Sequence, residues 1–412
     1  MESLLNGGKY QLRCTLPNII IRMEPELKEY FVLWGGNYVD NLPVTVISVL
    51  NTLEEQGGEA WLVGGCVRDM LLGRPIHDWD ICTSLRPETV MAAFPHTVPT
   101  GLRHGTVTVL EDGVSFEVTT YRLDGDYLDH RHPEQVVFSR NLGDDLSRRD
   151  FTINAMAMSR EGTVVDLFGG QEDLKRGIIR CVGDPVRRFT EDALRILRAV
   201  RFSAQLSFLI DREAEQAMER CCGGCDDLSS ERIRDEVEKI LCSDRPEHLQ
   251  LLIRLDVLRR FGCEEADLSG LASLPPERML RWAAFFRAVP ALDLRAMRLD
   301  NATIRLCTGA AACCPVPKDH TAIKRLAAEQ GKDCLRCAAA LCGCDEAVAA
   351  VLQSGECIVL KELAVSGRDF PALHGPELGA HLRALLAHVW ACPADNTRER
   401  LLQYAEETYK KV

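Results

Sequence analysis

The chain lacks any apolar run long enough to span a bilayer, which argues against a helical membrane protein. It also lacks a segment combining a basic start, an apolar stretch and a small-residue cleavage site, so secretion is not expected. Cations are scarce for a nucleic-acid binder: 49 Lys and Arg face 61 Asp and Glu, for a net charge of −12. Any phosphate contact must therefore be local. No fixed-period repeat is visible, which argues against a solenoid. Cysteine, by contrast, is abundant, at 18 residues. Without a leader these are expected as reduced thiols in a cytoplasmic protein. Cys334, Cys337, Cys342 and Cys344 invite a zinc reading. They lie in an Ala/Leu-rich, helical-looking stretch, however, and the second pair has one intervening residue. Individual buried or exposed thiols are the simpler expectation.

The chain of 412 residues, 46% hydrophobic and 27% charged, has the composition of a folded protein of two to four domains. Residues 1–43 show no period and read as an extension. Val44 to Gln56 has the pattern of an amphipathic helix stopped by Gly57 and Gly58. Ala60 to Val63 reads as a strand, Cys66 to Leu72 as a helix ended by Gly73, and Trp79 to Cys82 as a second strand. Asp112-Gly113 between two alternating runs, Thr106 to Leu110 and Val114 to Tyr121, signals a hairpin. Residues 123–147, rich in Asp, His, Arg and Pro, read as a long mobile loop. From about Gly177 onward the pattern is helical.

Three groups of residues carry chemistry. The first is Gly64-Gly65, Arg68 and Asp78-Trp79-Asp80. Alternate residues of a strand share a face, so Asp78 and Asp80 point the same way. Two adjacent carboxylates repel unless a cation lies between them, and hard oxygen donors suit Mg²⁺. Glu117, on the hairpin, is a candidate third carboxylate. The glycine pair joins a strand to a helix, where backbone amides can approach phosphate. A lone Gly-Gly is usually a turn, and a lone Asp-x-Asp is usually solvated surface. The succession of strand, Gly-Gly, helix and Asp-x-Asp is what makes the reading specific.

The second group is Glu191-Asp192 with Arg195, Arg198 and Arg201. On a helix these drift round one side, with Ala193, Ile196, Leu197 and Val200 opposite. A solvated, salt-bridged face is the ordinary explanation for such a run. The alternative is base reading. Cytosine and adenine each offer an amino donor beside a ring-nitrogen acceptor, which suits an Asp–Arg pair. Guanine and uracil offer the reverse order and would leave groups mismatched, at about 1–3 kcal/mol each. The third group is Arg148-Arg149-Asp150, followed by Phe151 to Asn154. Adjacent arginines are either surface charge or a clamp for a triphosphate or sugar. Between Arg148 and Arg201 there are 11 basic and 8 acidic residues, against the trend of the chain.

Taken in order, LVGGCVRDMLLG, HDWDICTS, TGLRHGTVTV, FEVTTYR, DGDYLDHRHPEQVVF, DDLSRRDFTINAMAM, DLFGGQEDLKRGIIRCVGDP, RRFTEDALRILRAVRF and LSSERIRDEVEKIL resemble the class II branch of the tRNA nucleotidyltransferase and bacterial poly(A) polymerase family. The match spans about Ala60 to Leu241. The resemblance implies an α+β fold: a polymerase beta-like nucleotidyltransferase head with a five-stranded mixed sheet, then an all-helical neck, body and tail. Boundaries would fall at an extension 1–43, a head 44–176, a neck 177–241, and a body and tail 242–412. It implies Asp78 and Asp80 as Mg²⁺ ligands with Glu117 nearby. Gly65 and Arg68 would meet the nucleotide phosphates and Arg149 the sugar–phosphate part. Asp192 and Arg195 would read the base, supported by Arg198 and Arg201. The expected partners are the tRNA 3′ end, CTP and ATP. Residues 123–147 look like the family's flexible loop, needed for final A addition. Their Asp-Gly-x-Tyr-x-Asp pattern argues against a CC-only variant. Residues 1–43 and the region after Leu241 match nothing residue by residue. No phosphohydrolase His-Asp pair is visible in the arm.

Overall fold

A computed structural model of the chain describes residues 5–6, 9–10, 42–124 and 136–409. It divides into two compact units. One comprises Met1–Arg195 with Phe208–Cys221, the other Ile196–Ser207 with Cys222–Val412. Of the expected extension, only a two-residue pairing is described, β1 (Leu5–Asn6) with β2 (Lys9–Tyr10). The rest of residues 1–41 lies outside the described residues.

The first unit opens with α1 (Val44–Glu55), whose Val46, Val49, Leu50 and Leu53 are buried at helical spacing. Next come β3 (Ala60–Val63), α2 (Gly65–Leu71), β4 (Trp79–Thr83), α3 (Pro87–Ala93) and β5 (Thr97–Gly101). They are followed by β6 (Thr106–Glu111) and β7 (Val114–Thr120). Asp112 and Gly113, at φ 48° and 78°, supply the two positive-φ positions of the tight hairpin between β6 and β7.

Three elements fall wholly or partly inside the segment expected to be a loop. Strands β8 (Arg122–Asp124) and β9 (Val136–Phe138) pair antiparallel. A helix, α4 (Leu142–Ser147), is capped by the Asn141 side chain accepting from the Gly143 amide. The loop expectation for 123–147 is thus corrected at both ends. The apolar run Val136–Phe138 supplies a strand, and Asn141 with Asp144 and Asp145 supplies a helix start. Residues 125–135, with most of the Asp-Gly-x-Tyr-x-Asp pattern, lie outside the described residues.

The unit's main sheet continues with β10 (Met156–Met158) and β11 (Val164–Asp166). Its order is β11-β10-β3-β4-β7-β6-β5, parallel between β4 and β7 and antiparallel at the other junctions. This mixed sheet has seven strands, where five were expected. Met156–Met158 is a three-residue apolar run buried throughout, too short to show a period. Its hairpin with β11 widens one edge. Then come α5 (Gly170–Arg176), a two-residue strand β12 (Ile178–Ile179), α6 (Pro185–Glu191), α7 (Leu194–Leu206), which from Ile196 onward is counted in the second unit, and, back in the first, β13 (Leu209–Ile210) and α8 (Arg212–Cys221). The parallel pairing of β12 with β13 interrupts the purely helical pattern expected after Gly177.

The second unit is helical. It takes in α9 (Ser230–Leu241), α10 (Leu249–Arg254), α11 (Arg278–Ala288), α12 (Asn301–Cys313), α13 (His320–Gln330), α14 (Lys332–Cys342), α15 (Asp345–Gln353), α16 (Gly375–Ala391) and α17 (Arg398–Tyr409). Arg281 on α11 is 2% exposed and donates to the carbonyls of Leu241, Leu274 and Pro275. It thereby satisfies loop backbone that a buried apolar residue would leave unpaired. Leu385, Leu386, Val389 and Trp390 of α16 pack with Leu401 and Ala405 of α17.

Candidate active site

The turn from β3 to α2 sets the geometry. Gly64 has φ 75° and ψ −131°, a conformation open to glycine but strained for other residues. A Cβ placed there would lie 3.0 Å from Nη1 of Arg149 and 3.6 Å from Oδ2 of Asp80. The bare glycine therefore lets a guanidinium and a carboxylate flank one open point of backbone.

Asp80 and Glu117 are register partners on the parallel strands β4 and β7, so they lie side by side on one face. Asp78 immediately precedes β4 and is exposed, as is Glu117; Asp80 is half-buried. The paired carboxylates of Asp80 and Glu117 offer oxygen donors, the chemistry that suits a hard divalent cation. The space left by the missing Cβ of Gly64 is bordered by both Arg149 and Asp80.

The arginines are fixed from behind. Asp145 on α4 is fully buried. Its Oδ1 accepts from Nε and Nη2 of Arg148 at 2.9 and 2.6 Å, and its Oδ2 from Nη2 of Arg149 at 3.1 Å. Burial pushes the Asp145 carboxyl up, but the two guanidinium groups outweigh it and hold its pKa below the usual range. Burial likewise opposes the charge on Arg149, and Asp145 foremost among its neighbours more than restores it. Arg68 is buried. It donates to Oδ1 of Asn154 at 2.9 Å and forms two hydrogen bonds with Asp69. Asn154 in turn donates to Asp150 at 3.2 Å, so the third sequence group braces the first. Arg68 Nη2 also lies 3.7 Å from where a Cβ of Gly65 would be.

Asp145 and Asn154 are the residues the sequence reading missed in these roles. The signal for Asp145 was present: it stands three and four positions before Arg148 and Arg149, the spacing at which helical neighbours pair. Nothing in the spacing pointed to Asn154 as the acceptor for Arg68.

The expected continuous helix through Asp192 is corrected. Asp192 has φ −146° and ψ 104°, ending α6, and α7 begins at Leu194. The Asp192 carboxylate accepts from the Leu194 amide at 3.0 Å, and its carbonyl accepts from the Arg195 amide. A short polar side chain that can bond the following backbone favours such a break. Arg195 is buried. Its guanidinium meets Glu191 at 2.7 Å, the Arg188 carbonyl at 3.0 Å and the Arg148 carbonyl at 3.1 Å. Arg187 and Arg188 also reach Glu191, at 3.0 and 2.8 Å. Ala193, Ile196, Leu197 and Val200 are buried, as their spacing indicated. In the second unit, Arg198 lies over the Phe202 ring at 5.3 Å, and buried Arg201 pairs with Glu236 at 2.8 Å.

The cysteines stay thiols: among the described residues none forms a disulfide. Cys66 and Cys82 lie beneath the site, Cys66 within reach of the Asp80 carbonyl at 3.6 Å. Burial pushes Cys66 up to about 11 and Cys82 well above its ordinary value, so both are inert neutral packing. Cys334, Cys337, Cys342 and Cys344 do not gather into a metal-sized group. No described helix is long and apolar enough to cross a membrane.

A mixed sheet bearing paired carboxylates beside a glycine turn, with a helical remainder, defines a polymerase beta-like nucleotidyltransferase. Residues 60–180 match the family described as poly A polymerase head domain, and residues 207–261 the family described as probable RNA and SrmB-binding site of polymerase A. The CCA-adding enzyme of Anoxybacillus flavithermus is 39% identical over 381 residues, covering 87% of this chain and 96% of the relative. That of Geobacillus kaustophilus is 37% identical, covering 88% and 96%. The crystal structure of the Bacillus stearothermophilus CCA-adding enzyme in complex with CTP superposes with a TM-score of 0.77 at 32% identity, covering 94% of this chain and 99% of that one. The chain belongs to the CCA-adding enzyme family of nucleotidyltransferases.

Proposed function

We propose that the protein adds C, C and then A to the 3′ end of tRNA without a nucleic-acid template, using CTP and ATP and releasing pyrophosphate. The observation that carries this reading is the adjacency of Asp80 and Glu117, with Asp80 and Arg149 both flanking the same point of the Gly64 turn. Asp78 and Asp80 would hold Mg²⁺, which supplies charge neutralisation for the triphosphate and activation of the 3′ hydroxyl. The chain's own groups do the positioning. Arg149, held by Asp145, and Arg68, held by Asn154, orient phosphate and sugar. The amides at Gly64 and Gly65 approach phosphate where a side chain would block it. Arg195, fixed by Glu191 and two carbonyls, and Asp192, fixed at the helix break, present a donor and an acceptor to the Watson–Crick edge of C or A. Arg198 and Arg201 support the same helix. The segment around 123–147 would assist the switch from C to A. The helical second unit would hold the body of the tRNA in the cytoplasm.

The test offers a tRNA transcript ending before CCA, with each nucleoside triphosphate alone and in mixtures, and sequences the products. CTP alone should add two residues, and CTP with ATP should complete CCA. Runs of A from ATP alone would favour the A-adding or poly(A) polymerase reading. No incorporation under any mixture would favour a non-catalytic RNA binder.

A further inference from the structure

The C-terminal end of α16 carries a second set of metal-capable donors, remote in sequence from the carboxylates. His388 and Cys392 stand four residues apart, one helical turn, and Asp395 follows in the short 3-10 turn Pro393–Asp395. Nε2 of His388 and Oδ2 of Asp395 are 2.9 Å apart. Together with Sγ of Cys392, these donor atoms lie within 4.8 Å of one another. Among the described residues, no other set of three His, Cys, Asp or Glu side chains gathers this closely.

The cluster is held in place. The His388 ring stacks on Tyr404 of α17, with centroids 3.8 Å apart and planes at 14°. The other oxygen of Asp395 accepts from Arg400 at 2.9 Å, which aims Oδ2 at the histidine. The Asp395 amide donates to the Cys392 carbonyl, and the Cys392 amide to the His388 carbonyl, so the turn is closed by backbone bonds. Cys392 is exposed, so its thiol is free to rotate toward the pair.

We infer that His388, Cys392 and Asp395 form a Zn²⁺ site with one open coordination position. Imidazole and thiolate favour zinc over the hard cations, and a carboxylate is a common third zinc ligand beside them. In a tetrahedral site two N or O ligands stand about 3.3 Å apart, and a sulfur stands about 3.5 Å from either. The existing spacing reaches this with a small opening of the His–Asp pair and rotation of the cysteine. Binding releases the Cys392 thiol proton to solvent, and the proton shared by His388 and Asp395 gives way to the ion. The thiolate and carboxylate neutralise the ion's charge, and the carbonyl end of α16 favours a cation. An occupied site ties the end of α16 to the turn that leads into α17.

The test uses the full chain, stripped of metal and kept reduced, and titrates it with Co²⁺ alone. A single thiolate-to-cobalt charge-transfer band should grow to one equivalent and be erased by Zn²⁺. Oxygen ligation by the head carboxylates gives no such band. Cys392→Ser should abolish it, while His388→Gln and Asp395→Asn should each weaken cobalt binding by about tenfold or more. Because Cys392 is exposed, its replacement leaves the fold intact, which thermal melting checks. Absence of the band in the parent, or a band unchanged in Cys392→Ser, overturns the assignment.

Discussion

Replacing Asp145 with Asn removes a buried anion from between two arginines. The carboxylate is fully buried and receives three hydrogen bonds, at 2.6, 2.9 and 3.1 Å. An asparagine oxygen can replace one side of this arrangement; its amide nitrogen then faces a guanidinium. Breaking a buried pair by neutralising one partner costs roughly 3–5 kcal/mol. For a unit of this size that lowers the melting temperature by about 6–20 °C. The folded-state pKa of Asp145 is depressed, so its stabilisation is fully present above the ordinary carboxylate pKa of about 3.9 and lost as pH falls through the folded value. Parent and variant should therefore differ by a constant amount from pH 5 to 8, and the gap should shrink only below about pH 4. Thermal or urea melts across that range measure it, with Glu172→Gln on the exposed side of α5 as a control. A variant within about 0.5 kcal/mol of the parent at pH 7 would refute the reasoning, because that is the scatter of ordinary surface changes. So would a gap undiminished at pH 3.

Asp80→Ala should lower single-turnover nucleotide addition by at least about 10²–10³-fold while leaving the melting temperature near the parent value. Normal turnover would exclude Asp80 from the chemistry. Gly64→Ala should cost about 1–3 kcal/mol in backbone strain and push Arg149 away from Asp80, so that both the melting temperature and kcat/KM fall; an unchanged kcat/KM would show that the turn does not position the site. Asp192→Ala should raise incorporation of U and G relative to C and A, measured one nucleotide at a time; equal slowing of all four would make the helix break a scaffold only. tRNA affinity should drop steeply between low and moderate salt, read as the slope of log K against log salt; a flat slope would remove phosphate contacts as the main term.

The head was legible in the sequence where local rules act alone. Ala60–Val63, the Gly64 turn and the Asp112-Gly113 hairpin follow from apolar runs punctuated by residues that tolerate positive φ. The register that brings Glu117 beside Asp80 was not legible. It depends on a parallel pairing between strands separated by α3, β5 and β6, and no local pattern encodes that choice. The two extra sheet strands escaped because runs of three residues carry no period. The break at Asp192 escaped for a different reason. The 3.6-residue pattern of apolar side chains continues smoothly across Ala193, Ile196 and Leu197, so packing gives no warning. The competing bond from the Asp192 carboxylate to the Leu194 amide decides the backbone.

The basic excess between Arg148 and Arg201 also reads differently once partners are known. Arg148 and Arg149 share Asp145, and Arg160 meets Glu54 and Glu161. Arg180 meets Asp173, while Arg187, Arg188 and Arg195 converge on Glu191, and Arg201 meets Glu236. Most of the local positive charge is thus already compensated within the protein. These arginines act less as a diffuse attractive field than as fixed donors, each with its plane set by a carboxylate. That distinction matters for a selective site. A loose cation attracts any phosphate, whereas a guanidinium locked by Glu191 has its plane fixed in one orientation. On the proposed reading, an acidic chain could bind RNA because these carboxylates are spent on orienting arginines rather than on repelling phosphate. Removing Glu191 should accordingly damage discrimination between bases more than it damages affinity for tRNA.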